Sequence, residues 1–331
     1  QGPQHPQQIA RRRKRRTQQR RSHQYQQDAG FTLFHATLRA TTPILFASLA
    51  AVITQQADII NIGTEGIMLI GAFIAVCVSF YTGSWLLAII AAMLAGVVFA
   101  LIMAIAHIEY NADICAIGTA INLLALALTR FLLKQFLGAT GTFTDPKISA
   151  IPKIHFNFLE SNKYLNSFFN DYSILEIFGI LAVIIFAFIL YRTVWGLRLR
   201  ATGKFSLATE TAGINIVKMK YQVMIISGVL GGLAGAHLSI GYSQLFTENM
   251  TNGRGFMGVA AMFFGNANPI LAWIGCLLFG FIDSIGARLQ SYGLPSQFVL
   301  MLPYIITIMV LTISMIHKKN KEIKMKSSLK K

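Results

Sequence analysis

The sequence predicts an all-α polytopic membrane protein of about eight to ten transmembrane helices, with an internal inverted repeat and short broken or re-entrant helices. Three observations carry this. Of 331 residues, 54% are hydrophobic and only 13% charged, against about a quarter charged in a soluble domain. The apolar residues fall in long runs, and from Gly66 to Ile108 there is no Asp, Glu, Lys or Arg. The net charge of +16 is gathered into blocks: eight basic residues in Arg11–Arg21, six in Arg192–Lys220 and seven after His317. Basic blocks flanking apolar spans mark cytoplasmic segments, so the charge reports topology before it reports nucleic acid.

Residues 1–30 differ from the rest. They are rich in Gln and Arg, contain Arg-Arg-Arg-Lys-Arg-Arg (11–16) and begin with Gln. A nucleic-acid-binding or targeting arm is one reading; a disordered tail or a gene-boundary artefact fits the composition better. No apolar stretch of signal-peptide type follows the basic block before residue 40.

The apolar region is 31–316, followed by a basic tail, 317–331, expected to be cytoplasmic. Its apolar runs, free of charge except for Arg130, Glu176 and Asp283, compare with the ~20 residues that cross a bilayer. Ala40–Ala57 is the first, then Gly66–Tyr81 and Trp85–His107, separated by Thr82-Gly83-Ser84. Ile114–Leu133 and Tyr172–Tyr191 are the fourth and fifth. Beyond the basic loop come Tyr221–Leu245, Gly255–Gly265, Ile270–Ile285 and Phe298–Ile316. Gly66–Tyr81 and Gly255–Gly265 are short for simple spans and read as tilted, broken or re-entrant.

Residues 135–171, with Pro146, Pro152 and both signs of charge, read as an extracytoplasmic loop; Arg130 and Lys134 beside it count mildly against that side. Residues 192–220 read as a cytoplasmic loop. Five spans before that loop put the N-terminus outside, whereas Arg11–Arg21 argues for inside. A non-native basic tail resolves the conflict more simply than a re-entrant early segment.

Asn61-Ile-Gly-Thr-Glu-Gly-Ile-Met-Leu-Ile-Gly-Ala-Phe73 sets the carboxylate of Glu65 between glycines at the mouth of an apolar run. Polar, Gly-loosened backbone is tolerated at membrane depth where it is buried in protein or lines a wet cavity. The stretch therefore reads as part of a translocation path, against the alternative of an interfacial loop with Glu65 among headgroups. Glu65–Phe73 also aligns without gaps with Arg254–Met262, at an offset of 189, with Gly, Met and Ala coinciding at 66/255, 68/257 and 72/261. Each copy opens a short apolar helix, and the span count brings the two in from opposite sides. Inverted repeats of this kind place a substrate site near the midplane.

Enzymatic chemistry lacks its motifs: there is no Gly-x-x-x-x-Gly-Lys-Ser/Thr, no His-Glu-x-x-His and no Gly-x-Ser-x-Gly. His107 and Glu109 are two apart on a turn, which is poor metal geometry. Cys77, Cys115 and Cys276 stand in apolar stretches at no redox or metal spacing. In the 192–220 loop, Phe205-Ser-Leu-Ala-Thr-Glu-Thr-Ala predicts a short helix with Ser206 as N-cap and Gly213 just beyond its end. Such a helix on the membrane face can dock in a soluble partner. Gly228, Gly231, Gly232 and Gly235 give small-x-x-x-small spacing for close helix packing, within the subunit or at a dimer seam.

The first signature resembles that of permease subunits of bacterial ABC importers in the branched-chain amino acid, ribose and nucleoside superfamily. Its Asn-Ile-Gly-x-Glu-Gly form is most similar to the nucleoside and simple-sugar branch. The resemblance continues through Gly196-Leu-Arg-Leu-Arg-Ala-Thr-Gly203, Ala212-Gly-Ile-Asn215, Ser227–Gly235, Gly253–Met262, Gly265-Asn-Ala-Asn-Pro269 and Leu302-Pro-Tyr-Ile-Ile-Thr-Ile308. It covers about residues 33–316, in order. It departs at Ala208-Thr-Glu-Thr-Ala212, where the family often has Ala-Ala, and in the N-terminal tail.

The resemblance implies a multi-pass subunit of the bacterial plasma membrane that moves nucleosides or related simple sugars inward. It implies as partners an ATP-binding cassette ATPase subunit, a second permease subunit (identical or related), and an extracytoplasmic substrate-binding lipoprotein or periplasmic protein, besides membrane lipid. ATP and Mg would be held by the partner ATPase; this chain is expected to bind no cofactor, no metal and no nucleic acid. The coupling segment would use Arg198, Arg200, Gly203, Lys204, Glu210, Ala212 and Gly213. Polar and aromatic groups inside apolar spans are the candidates for the substrate path: Asn61, Glu65, Asn122, Phe256 and Asn266. Asn amides pair with ribose hydroxyls or base edges, and Phe256 can stack on a base. A structural role competes at each: Asn122 as an interhelical bridge, Phe256 facing lipid, Asn266 opening the turn before Pro269. Alternatives of other kinds are a ribose or branched-chain amino-acid permease, and an ion-coupled transporter using Glu65 or Asp283.

Overall fold

Residues 33–155 and 172–291 are described by the computed structural model, with isolated helical positions between 301 and 316. The basic tails 1–30 and 317–331 lie outside the described residues, and the expected span Phe298–Ile316 is described only at isolated positions. Seven described helices are long and apolar enough to cross a membrane: α1 (Leu33–Gln55), α2 (Thr64–Thr82), α3 (Trp85–Ile108), α4 (Ile114–Leu137), α5 (Ile174–Arg192), α8 (Ile216–Ala236, continuing to Ser243) and α10 (Pro269–Ser291). Between them stand α6 (Val194–Lys204), α7 (Ser206–Thr211) and the short apolar α9 (Arg254–Phe264). The protein is an all-α polytopic membrane protein, as its sequence predicts.

Local chemistry sets the boundaries. Ser84, Asp113, Thr193 and Asn215 each accept a backbone N–H in the first turn of the helix they precede. Ser173 and Glu176 form a reciprocal capping box on α5. Gly83 and Gly138, at φ +66° and +62°, end α2 and α4 in the left-handed region. The apolar runs understated several helices, and charged residues inside those helices are paired. Arg39 lies within α1, 3.8 Å from Glu176, and Arg130 lies within α4, 3.0 Å from Glu248. That pairing explains how Arg130 tolerates the outer side.

Two expectations need correction. The length read for Gly66–Tyr81 is too short: α2 has 19 residues, about 28 Å of helix, although it opens inside the protein. Ser206 is not an N-cap. The basic lead-in itself folds as α6, and the chain bends once at Phe205 (φ −145°, ψ 75°), so Phe205 takes the cap position and Ser206 is the first helical residue of α7. Gly213, at φ +80°, does close the segment, donating to Glu210 O at 2.8 Å.

The core is α2, α3 and α8, packed through small residues. A Cβ on Gly71 would stand 2.9 Å from Gly232 Cα, and one on Gly228 would stand 2.7 Å from Gly96 O. Gly231 faces Ile67, and Gly235 faces the Met68–Ala72 turn. The α8 glycines therefore serve packing inside the subunit.

Side-chain contacts order the two ends. Gly203 of α6 abuts Gln56 O at the end of α1, and Tyr221 near the start of α8 donates to Glu109 after α3. At the other end, His35 stacks on Tyr172 at 4.7 Å, Ser79 bonds Ser149, and β1 (Thr142–Phe143) pairs with β4 (Phe246–Thr247). A second ribbon joins β2 (Lys153–Ile154) to β3 (Tyr172–Ser173). The described chain thus enters at the face opposite the basic 192–220 loop, as five spans before that loop require.

Candidate functional site

Two helices begin inside the protein rather than at its surface. After α1 ends at the basic face, residues 56–63 climb back to mid-depth, where Asn61 Nδ2 donates to Ser227 Oγ at 2.7 Å. Ser227 is eleven residues into α8, about 16 Å above its start. There α2 opens without a side-chain cap of its own. Asn122 of α4 supplies one from outside: Oδ1 accepts Gly66 N at 2.8 Å while Nδ2 donates to Ile62 O at 3.1 Å. Gly66 and Gly118 permit this approach, since a Cβ on either would meet backbone at 2.9 Å.

The second copy, α9, begins against the first. Glu65 Oε1 accepts Gly253 N at 2.8 Å and Oε2 accepts Gly255 N at 2.7 Å. A Cβ on Gly255 would lie 2.6 Å from Glu65 Cα. Helix N-termini carry unsatisfied N–H groups and a partial positive charge, so a buried carboxylate is stabilised there. From this point α9 runs parallel to the second half of α1: Gly258 packs on Ala47 and Ser48, and Gln56 Nε2 reaches Ala267 O at 2.7 Å. The repeat copies therefore meet head to head at mid-depth and leave towards opposite faces. Arg254, the first residue of α9, pairs with Asp283 of α10 at 2.9 Å.

A cleft of about 350 Å³ opens beside this junction. Glu65, Asn122 and Phe256 line it, together with Thr119, Asn249 and Asn252. Of the five residues expected on the path, the structure brings these first three together. Asn61 is fully buried behind the cleft against Ser227. Asn266, at φ +49°, forms the turn at the far end of α9. Asn249 and Asn252 were missed. They hold φ +56° and +44°, a conformation asparagine tolerates better than most residues. The Asn249-Met-Thr-Asn-Gly253 spacing ahead of the second copy was the available signal, and it reads as a turn. Glu65 and Asn122 spend hydrogen-bonding capacity on helix ends, whereas the exposed Asn249 amide projects into the cleft wall. The wall thus offers hydroxyl- and amide-binding groups with an aromatic face.

The coupling candidates gather at the basic face. Gly203 packs on the end of α1, and Gln56 links that end to the turn after α9. Arg200 lies over Tyr191, 5.1 Å from its ring centre; Arg198, Lys204, Glu210, Ala212 and Gly213 are exposed. Phe205 and Leu207, 73% and 79% exposed, are apolar groups presented by α7 that charge counting overlooked. His107 bonds Ala112 O and Glu109 bonds Tyr221. Among the described residues no group of His, Cys, Asp and Glu could hold a metal ion.

On the outer half, Glu176 is buried between Arg39 and His237, with His237 Nε2 at 3.4 Å, where α8 passes into a π-helical turn (His237–Ser243). Nothing in the sequence pattern linked these residues. Burial and the neighbouring Glu176 push the Tyr172 hydroxyl up to about 12, against a smaller opposing pull from Arg39.

Comparison with known proteins gives a consistent result. Residues 33–311 match the family described as branched-chain amino acid transport system, permease component. The chain is 38% identical to the guanosine ABC transporter permease protein NupQ of Bacillus subtilis, covering 84% of this chain and 90% of that one. It is 34% identical to the nucleoside ABC transporter permease protein NupC of Lactococcus lactis, over 82% and 89% of the two chains. It is 32% identical to the putative glucose ABC transporter permease protein TsgC13 of Haloferax volcanii, over 79% of each. No solved structure gives a significant match.

Proposed function

The chain belongs to the family of permease components of branched-chain amino acid transport systems, and from that membership we propose that it carries nucleosides across the plasma membrane. It would act as one of two permease subunits in an ATP-driven importer. The observation that carries this is the head-to-head meeting of α2 and α9 beside a polar cleft. Two helix N-termini at mid-depth flank a volume that suits a small polyhydroxylated ligand. The relatives named for guanosine and nucleoside transport support the substrate class.

In this mechanism α7 docks in a partner ATPase, which holds ATP and Mg. Its movement passes through Gly203 to the end of α1, and through Gln56 to the turn that closes α9. Because α9 abuts Glu65, a tilt of α9 changes the cleft itself. A second permease subunit would close the exposed side of α4, and an extracytoplasmic binding protein would deliver substrate over the β1–β4 ribbon. An ion-coupled transporter fits less well. Glu65 is held by two backbone N–H groups and Asp283 by Arg254, so neither carboxylate is a free ion site.

The test is uptake into proteoliposomes containing this chain, its partner permease and the ATPase, with binding protein outside. ATP-dependent uptake of guanosine or adenosine supports the proposal. Uptake of glucose, ribose or leucine instead keeps the mechanism and overturns the substrate. Uptake driven by an ion gradient without ATP overturns both.

A further inference from the structure

At the basic face a second cleft, of about 370 Å³, lies between α6 and the first turns of α8. Its wall includes Trp195, Met219 and Gln222, and its rim carries Arg198 and Lys218. The cleft stands at the height where α5 leaves and α8 enters the apolar region, since Val194 follows the last turn of α5 and Gln222 is in the second turn of α8. Trp195 donates its indole N–H to Gln222 Oε1 at 3.1 Å, which fixes an amphipathic ring at the level where tryptophan favours the membrane–water interface.

Arg198 and Lys218 are both exposed, and neither has a carboxylate within ion-pair distance among the described residues. Both belong to the basic 192–220 block, so the cleft sits within a positive field. The neighbouring apolar side chains Val194, Leu197 and Val217 are 66%, 60% and 49% exposed, so apolar surface adjoins the cleft. Phe205 and Leu207 on α7 form a separate apolar projection that suits a soluble partner; Ala212 and Gly213, at the end of that segment, also line the cleft.

We propose that the α6–α8 cleft binds the phosphate headgroup of an anionic phospholipid of the cytoplasmic leaflet, with Arg198 and Lys218 as its cationic ligands and Trp195 bracing its glycerol region. A partly apolar cleft and two cations with no ion-pair partner among the described residues, at the basic face, are the complement of such a lipid. The bound lipid would wedge α6 against α8 and set the resting position of the coupling segment. The inference needs only a membrane-embedded chain and stands apart from the substrate proposed above.

The test is native mass spectrometry of the purified full chain, loaded from phosphatidylcholine vesicles with or without phosphatidylglycerol. The wild type should retain one phosphatidylglycerol more tightly than phosphatidylcholine. The variant Arg198→Gln/Lys218→Gln should weaken that retention by roughly 25-fold, about fivefold per cation. The charge-matched control Arg192→Gln/Lys220→Gln, outside the cleft, should keep it. Equal loss in both variants overturns the site in favour of diffuse attraction, and unchanged retention overturns it outright. Displacement by millimolar inorganic phosphate would identify a free-anion site and overturn the lipid. Shielding of Arg198 and Lys218 only when the ATPase is bound would assign the cleft to that partner and overturn it likewise.

Discussion

Glu65 Oε2 accepts the backbone N–H of Gly255 at 2.7 Å, and the same carboxylate accepts Gly253 at 2.8 Å. The first helix of one repeat copy thereby caps the first helix of the other, in place of a local residue. Charge-assisted hydrogen bonds of this kind contribute about 1.5–3 kcal/mol each when buried. Glu65→Gln retains one acceptor and presents an amide N–H₂ to the other donor. We expect it to lower stability by about 2 kcal/mol and to abolish most uptake, whereas Glu65→Asp should be milder in stability. Thermal unfolding in detergent paired with uptake measures both.

Gly255 permits that contact. Gly255→Ala would drive a Cβ to 2.6 Å from Glu65 Cα, forcing α9 away from α2. Overpacking of this kind costs roughly 1–3 kcal/mol. The expected outcome is a folded but less stable protein with greatly reduced transport. Wild-type stability in a thermal-shift assay would mean that the two helices part more easily than described.

Gly203→Ala should behave differently. Its Cβ would collide with Gln56 O, at the joint between α6 and α1, far from the cleft. Substrate binding should persist, while substrate-stimulated ATP hydrolysis by the assembled complex should fall by at least about tenfold, a loss of roughly 1.4 kcal/mol in coupling. Unchanged stimulation would remove this joint from the mechanical path.

Asn122 and Asn249 separate architecture from recognition. Asn122→Ala leaves Gly66 N and Ile62 O without their partner, at a cost of about 1–3 kcal/mol, and should appear first as lost stability. Asn249→Gly keeps the left-handed backbone that φ +56° demands and removes only the amide. It should raise the KM for uptake about fivefold or more, near 1 kcal/mol, with thermal stability close to wild type.

The outer pair Arg130–Glu248 should matter little to stability despite its 3.0 Å separation, because Arg130 is 55% exposed. Arg130→Ala is expected to cost less than about 1 kcal/mol. Asp283→Asn, which breaks the more enclosed pair with Arg254 at 2.9 Å, should cost more. Parallel thermal-shift measurements decide.

Much of this fold was legible because bilayer crossing leaves a plain mark. Long apolar runs located the spans, and the basic 192–220 block fixed which ends lie together. The echo between Glu65–Phe73 and Arg254–Met262 pointed to two segments that the structure brings into contact. What the sequence withheld were long-range polar pairings. Nothing local to Glu65 announces donors 188 and 190 residues away, so its carboxylate read as a free path group. Asn249 and Asn252 sat in a stretch that reads as an ordinary turn, and Asn61 and Asn266 looked as suitable as Asn122. Ser206 had good capping chemistry, but the preceding helix reached Lys204 and placed the break at Phe205.

The most direct test of the account is accessibility of the cleft itself. Thr119 lines it from an exposed position on α4, so Thr119→Cys in a Cys115→Ser background provides a reporter on regular helix. In the assembled complex, a membrane-impermeant maleimide added outside should label it in one nucleotide state and not in the other. Excess guanosine should slow that labelling several-fold, about the protection expected of a weakly held substrate. Labelling indifferent to both nucleotide and guanosine, in a complex that still transports, would contradict a path through the junction of α2 and α9.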